Sequence, residues 1–350
     1  MKRQGLIRKT GSLQQVASVR PLSFREGRSA SLQAVELING PLRLLSMADK
    51  CLDVAEFSYR GVNFSFLSKP GLQGRNPYDT HGAEAQRSIM GGFFFTAGLE
   101  NICAPCAVDG KDYPMHGRIR TTPAEHLCSD AFWEDEKYVL SISGEMREAE
   151  LFGENLVLRR QLRSVFGEKS FTLTDVIENQ SCRSEPLMLL YHINIGYPLL
   201  DEGTKLFLPT RRVLPRDDIS APHCGRWNIM DAPRDNEPEY VFLHEPVPDD
   251  SGVVRICVVN ETLELGLEVT YASKNLPRFM EWKSTASGDY VLGLEPANSS
   301  VFGRPFHEKR GDLHHLAPFS AEKNELRFTV LDGPEEIGRA VSAIESISLS

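Results

Sequence analysis

Hydrophobic residues in this chain recur mostly at every second position. Leu326, Phe328 and Val330 alternate with Arg327 and Thr329, and Leu263, Leu265 and Leu267 alternate with Glu264 and Gly266. Phe171 and Leu173 alternate with Thr172 and Thr174, while Val254, Ile256 and Val258 share one side of another run. Successive side chains of a strand point to opposite faces, so this period predicts strands with one face in a core and the other toward solvent or a cleft. Turn signals separate the runs: Asp-Gly at 109–110 and 332–333, Lys-Pro-Gly at 69–71, Phe-Gly-Glu at 166–168 and Pro-Asp-Asp-Ser-Gly at 248–252. Many short strands with no regular helices between them predict antiparallel sheets, not a doubly wound parallel sheet.

One helix is expected, after Gly333-Pro334. Glu335 and Glu336 stand where a helix start favours negative charge, and Ile337, Val341 and Ile344 then lie on one side. It should dock on the sandwich surface. Residues 213–250, rich in Pro and Asp, read as a long loop excursion. The length of 350 residues alone suggests about two domains. The uniform strand pattern favours one all-β domain instead, a large antiparallel β-sandwich over residues 41–350 with an N-terminal extension over 1–40 packed on it. A chain this long buries roughly three quarters of its unfolded surface and needs no disulfide or metal staple.

Charge and cysteine use narrow the function. Lys and Arg number 39 against 48 Asp and Glu, and a net charge of −9 argues against nucleic-acid or anionic-membrane partners. No apolar run reaches the length of a membrane span, and the basic start lacks the apolar stretch of a secretory signal. Seven cysteines, an odd number scattered along the chain, fit a reducing compartment, and a cytoplasmic location is expected. Phosphate-cradling glycine motifs are missing, so nucleotide binding lacks its usual basis. Cys103 and Cys106 have CxxC spacing without a second pair and read as two small thiols near a turn. There is no HExxH and no GxSxG, and no serine or cysteine stands in a clear nucleophile setting.

Three segments carry titratable groups in a suggestive way. In the run 189–198, Tyr191, Ile193 and Ile195 share one strand face, and His192, Asn194 and Gly196 share the other. In the run 289–298, Tyr290, Leu292 and Leu294 oppose Val291, Gly293 and Glu295. In the run 113–120, His116 precedes Gly117, and Arg118 would share its face if the segment is extended. Glycine inside a strand often marks close approach of a ligand. A lone His on a strand is ordinarily a satisfied core or surface residue, and a lone Glu before Pro ordinarily a solvated one. The joint pattern singles these three out. Two histidines and a carboxylate suit general acid–base chemistry, and a reaction that only moves protons needs no cofactor.

These residues resemble a family. His116 in MHG, His192 in YHINIGYP and Glu295 in GLEP resemble the His, His and Glu of the aldose 1-epimerase (galactose mutarotase) superfamily. The chain is most similar to the DUF4432 branch, through the stretches 48–62, 91–105, 115–127 and 281–298. The resemblance implies a β-sandwich with a carbohydrate cleft on a concave face, and interconversion of sugar anomers. Glu295 would take the proton of the C1 hydroxyl as general base. His192 would protonate the ring oxygen as general acid, and His116 would stabilise the open form. On ring closure the roles reverse.

Arg118, Asn194, Asp53, Trp282 and Lys283 are then expected as hydroxyl binders or stacking walls. The basic pair Arg118 and Arg120 leaves an acidic, phosphorylated or sulfonated sugar open as substrate. The expected partner is a monosaccharide or small sugar derivative, neutral or anionic, bound by a monomer or homodimer without cofactor or metal. Three other readings share the cleft. One is a non-catalytic carbohydrate-binding protein, and another is a sugar epimerase or isomerase acting at another carbon. The third is a metal-dependent lyase or hydrolase with His116, His192 and a carboxylate as ligands.

Overall fold

The structure, a computed structural model, describes residues 3–74 and 81–347. Three antiparallel sheets of five, six and eight strands carry the fold, with three two-stranded ribbons beside them. The six-stranded sheet runs, in spatial order, Thr210–Pro215, Tyr240–Pro246, Arg278–Ala286, Asp289–Ala297, Met188–Ile195 and Phe94–Leu99. The eight-stranded sheet begins with four consecutive hairpin strands from Glu125–Glu134 to Ser170–Asn179. The late strand Ala321–Asp332 is inserted beside them, ahead of Leu265–Ala272 and Val253–Asn260. The five-stranded sheet takes residues 18–63. Its strands Gln33–Ile38 and Leu42–Met47 form one hairpin, so the division drawn at residue 40 falls inside a turn.

The period-two pattern does what it predicts. Leu326, Phe328, Val330, Phe171, Leu173, Val254, Ile256 and Val258 are buried in one shared core. Tyr191, Ile193, Leu292 and Leu294 of the six-stranded sheet and Leu37, Leu44 and Phe57 of the five-stranded sheet complete it. Each such side chain contributes roughly 1.5–3 kcal/mol on leaving water. Leu263 is the exception: it lies in the turn before the strand, its N–H donating to Asn260 Oδ1 at 3.0 Å, and pairing begins at Leu265. The helix Pro334–Glu345 docks Ile337, Val341 and Ile344 on Cys257, Val259 and Leu331, outside the main core.

Residues 213–250 hold the expected loop excursion over 216–239, framed by two strands of a sheet. The stretch supplies half of one strand and all of another in the six-stranded sheet, with a short 3-10 turn Ala221–Arg226 between them. Proline is tolerated because the first of these strands lies at the sheet edge.

A buried charge cluster crosses the core. Arg160 donates to Asp175 Oδ1 and Oδ2 at 2.8 and 2.6 Å, to Asp53 Oδ1 at 2.6 Å, to Thr96 Oγ1 at 2.8 Å and to the Cys51 carbonyl at 3.0 Å. Tyr191 O–H donates to the same Asp175 at 2.8 Å. The cluster joins residues of all three sheets, and its ion pairs are fully buried. Among the described residues no helix is long and apolar enough to cross a membrane.

Candidate active site

Because strand faces alternate, the six-stranded sheet buries one face in the core and offers part of the other to a cleft of about 770 Å³. Register sets the cleft floor. Met280 pairs with Glu295 and Trp282 with Gly293, while His192 pairs with Phe95 on the neighbouring strand. The result is a close group. His192 Nε2 lies 3.0 Å from Glu295 Oε1. The imidazole stacks on Phe95, with centroids 4.5 Å apart and planes 19° apart, and meets the Trp282 ring edge-on at 5.3 Å.

His116 reaches the same point from a loop. Its ring is 5.7 Å from that of His192. The segment is not extended: His116 has φ 56° and Gly117 φ 68°, so the chain turns sharply. At Gly117 a side chain would collide with the Gly98 carbonyl, because an added Cβ would sit 1.8 Å from that oxygen. The turn sends Arg118 away from His116. Arg118 pairs with Glu100 and donates to the Asp112 carbonyl at 3.2 Å, beside a separate cavity bordered by Lys111 and Glu148. The glycine beside Glu295 serves the protein too. A Cβ on Gly293 would lie 3.0 Å from Trp282 Cβ and 3.3 Å from Glu295 Oε1, so its clearance is already used by those side chains.

The structure thus gathers His116, His192, Asn194, Trp282 and Glu295 around one cleft. Arg118, Asp53 and Lys283 lie elsewhere. Asp53 is consumed by Arg160 and by the N–H and hydroxyl of Thr96. Lys283 faces opposite to Trp282, and its ammonium donates to the carbonyls of Arg226, at 2.9 Å, and of Ile229. Two further cleft residues come from the stretch expected to be a loop. Arg216 binds Glu239 Oε1 through both terminal nitrogens at 3.1 Å, and Glu239 Oε2 accepts from Trp282 Nε1 at 2.8 Å.

A family model described as a domain of unknown function, DUF4432, matches residues 29–330. The chain belongs to the DUF4432 family. No protein of curated function matches this DUF4432 member in sequence. Solved structures do match in shape. A provisionally assigned aldose 1-epimerase from Klebsiella pneumoniae shares 22% identity, with TM-score 0.90, over 99% of this chain and 91% of that one. A galactose mutarotase-like protein from Clostridium acetobutylicum shares 11%, with TM-score 0.64, over 91% and 99%. A galactose 1-epimerase from Lactobacillus acidophilus shares 11%, with TM-score 0.53, over 91% and 100%. These likenesses establish the galactose mutarotase-like sandwich as the fold of the DUF4432 chain.

Burial governs the protons of this DUF4432 site. It pushes His192 down to about 4 and Glu295 up to about 8, with Glu239 raising Glu295 further and Arg216 opposing. His116 is held well below the usual imidazole range, first by burial and then by His192 and Arg120. Near neutral pH the His192–Glu295 pair therefore holds one proton between two sites 3.0 Å apart. Among the described residues no three His, Cys, Asp or Glu side chains are arranged to hold a metal ion.

A second histidine chain lies outside the cleft. Ser300 Oγ is 2.9 Å from His307 Nε2, and His307 Nδ1 is 2.8 Å from Asp312. Ser300 is only 3% exposed, and its own N–H also donates to Nε2 at 3.0 Å. This arrangement is a buried clamp at the start of the helix Gly303–Arg310.

Proposed function

We propose that this protein is a carbohydrate-active isomerase of the aldose 1-epimerase type, interconverting sugar anomers by acid–base ring opening. The observation that carries the reading is the His192–Glu295 contact at 3.0 Å on the floor of a cleft, with His116 alongside. Ring opening needs a base at the C1 hydroxyl and an acid at the adjacent ring oxygen, two atoms joined through one carbon. A His–Glu pair sharing one proton supplies both from neighbouring positions. With the proton on His192, Glu295 takes the C1 hydroxyl proton as His192 protonates the ring oxygen. The C1–ring oxygen bond breaks and a free aldehyde forms. Rotation about C1–C2 and the reverse transfers close the ring on the other face. Trp282, tied by Glu239, offers an aromatic wall to the apolar face of a sugar. The fold likeness to proteins named as epimerases or mutarotase-like supports the same reading.

The substrate class is a monosaccharide or small derivative. The cleft cations are matched by anions, Arg216 by Glu239 and Lys69 by Asp289, which favours a neutral sugar over an acidic one. The seven free thiols support a reducing, cytoplasmic setting. The test is NMR exchange spectroscopy on neutral and acidic aldoses, with Glu295→Gln as control. Acceleration for at least one neutral sugar, lost in the variant, is expected. Acceleration that survives Glu295→Gln removes the assigned base. Deuterium entering a C–H position in D2O would move the reaction to another carbon, and sugar binding without faster exchange would leave a binding protein.

A further inference from the structure

The two cleft histidines are wired oppositely. Around His192, the Asn194 amide nitrogen donates to the carbonyls of Gly92, at 3.2 Å, and of His192 itself, at 3.0 Å. Carbonyls only accept, so this fixes which end of the amide is nitrogen and aims its oxygen at His192 Nδ1, 2.6 Å away. An amide oxygen also only accepts, so Nδ1 carries the hydrogen. Neutral His192 then has its lone pair on Nε2, facing Glu295. Around His116 the logic reverses. The backbone N–H of Cys103 points at His116 Nδ1 at 3.3 Å, and a backbone N–H can only donate. Nδ1 of His116 holds the lone pair, and its hydrogen sits on Nε2. The backbone carbonyl of Cys103 takes the N–H of His116 at 2.9 Å, which locks the loop that makes this contact.

We propose that Asn194 and the Cys103 backbone are positioning groups that hold the two imidazoles in opposite tautomers. They make His192 the site of proton transfer and His116 a fixed hydrogen-bond donor that takes no part in it. The assignment moves Asn194 from the sugar to the catalytic pair: the amide is fully buried, and both of its ends are engaged within the protein. It also gives His116 its own task. A neutral imidazole presenting N–H to the aldehyde oxygen stabilises the open form at every stage, because its state does not change as the ring opens and closes. The roles rest on the proposed ring-opening chemistry, whereas the tautomers are properties of the free protein.

The test separates the two. Long-range ¹H–¹⁵N correlation spectra of the sugar-free protein distinguish a protonated from an unprotonated ring nitrogen. The expected pattern is Nδ1–H for His192 and Nε2–H for His116 at neutral pH. The same tautomer in both rings, or a cationic His116, overturns the proposal whether or not any sugar is turned over. Asn194→Leu should release His192 to the Nε2–H form and lower kcat by at least about tenfold with little change in KM. Asn194→Asp, which keeps an acceptor at Nδ1, should restore the wild-type tautomer. An Asn194→Leu protein with unchanged spectrum and unchanged kcat overturns the role of Asn194. If Asn194→Leu does not fold, the wild-type and Asn194→Asp spectra decide. Intact tautomers in a protein that accelerates no sugar would defeat the proposed function and leave the wiring standing.

Discussion

Two His–Glu pairs sit on opposite faces of the same six-stranded sheet. His192 and Glu295 meet at 3.0 Å on the cleft face, and His244 and Glu281 meet at 3.2 Å on the core face. The second pair is wholly enclosed, with Trp227 and Phe279 against the imidazole. Its outer atoms, His244 Nδ1 and Glu281 Oε1, lack hydrogen-bond partners among the described residues, whereas His192 Nδ1 is tied to Asn194. Burial raises both carboxyls, Glu281 and Glu295. A buried His–Glu contact thus does not by itself make a candidate site. The cleft pair differs in bordering open volume and in having its second ring nitrogen committed, which leaves one mobile proton at a place a ligand can reach.

The sharpest way to break this comparison is to remove one carboxylate at a time. Glu295→Gln should lower the rate of anomer exchange by about 10²–10⁴-fold, the range for a lost general base. Glu281→Gln should keep exchange within a few-fold of wild type, as read by the same NMR measurement. A reversed outcome would move the chemistry to the wrong face. On the core face the cost should appear as stability. Arg160→Met leaves Asp53 and Asp175 buried without their cation and should cost about 3–5 kcal/mol in urea unfolding.

The pH response sharpens the same contrast. Glu295 titrates near 8 and His192 near 4, so kcat/KM should form a bell between those values. Below the lower limb no base is left, and above the upper limb no acid is left. The sign for stability follows from linkage. A carboxyl raised from 4.5 to about 8 leaves the folded state holding a proton that the unfolded state has lost, so its contribution falls as pH rises through that window. His192, lowered from 6.5 to about 4, contributes the opposite slope below 6.5. From 6.5 to 8 only the Glu295 slope remains of the two, and Tm of wild type should fall more steeply there than Tm of Glu295→Gln.

Smaller effects follow at the walls. Trp282→Phe loses the bond to Glu239 and should raise KM by a factor of about 5, near 1 kcal/mol. Arg118→Ala, outside the cleft, should change KM for accepted sugars by less than about twofold.

Legibility in the sequence followed the same division of faces. Period-two alternation placed His192 with Asn194 and Glu295 with Gly293 because strands keep that period whatever packs above them. The alternation does not show that the turn at His116–Gly117 swings Arg118 outward, since that turn packs against Gly98, on a strand, whose carbonyl leaves no room for a side chain at 117. Asp53 and Lys283 are not legible as core ties, because in sequence a buried charge and a cleft charge look alike until their partners, Arg160 and the carbonyls of 226 and 229, are known. Arg216 and Glu239 were hidden because Pro and Asp are turn formers by composition. Here they flank edge-region strands.

The Arg160 cluster has a consequence for how such a site changes over evolutionary time. Thr96 and Tyr191 are gripped from behind, and each is the chain neighbour of a floor residue, Phe95 and His192. The floor is anchored by bonds that no ligand touches. Walls built from the loops around Cys103–His116 and Arg216–Glu239 can therefore be exchanged while the proton-handling pair stays in register. Loop changes would then reshape the cleft's mouth while its floor keeps its geometry.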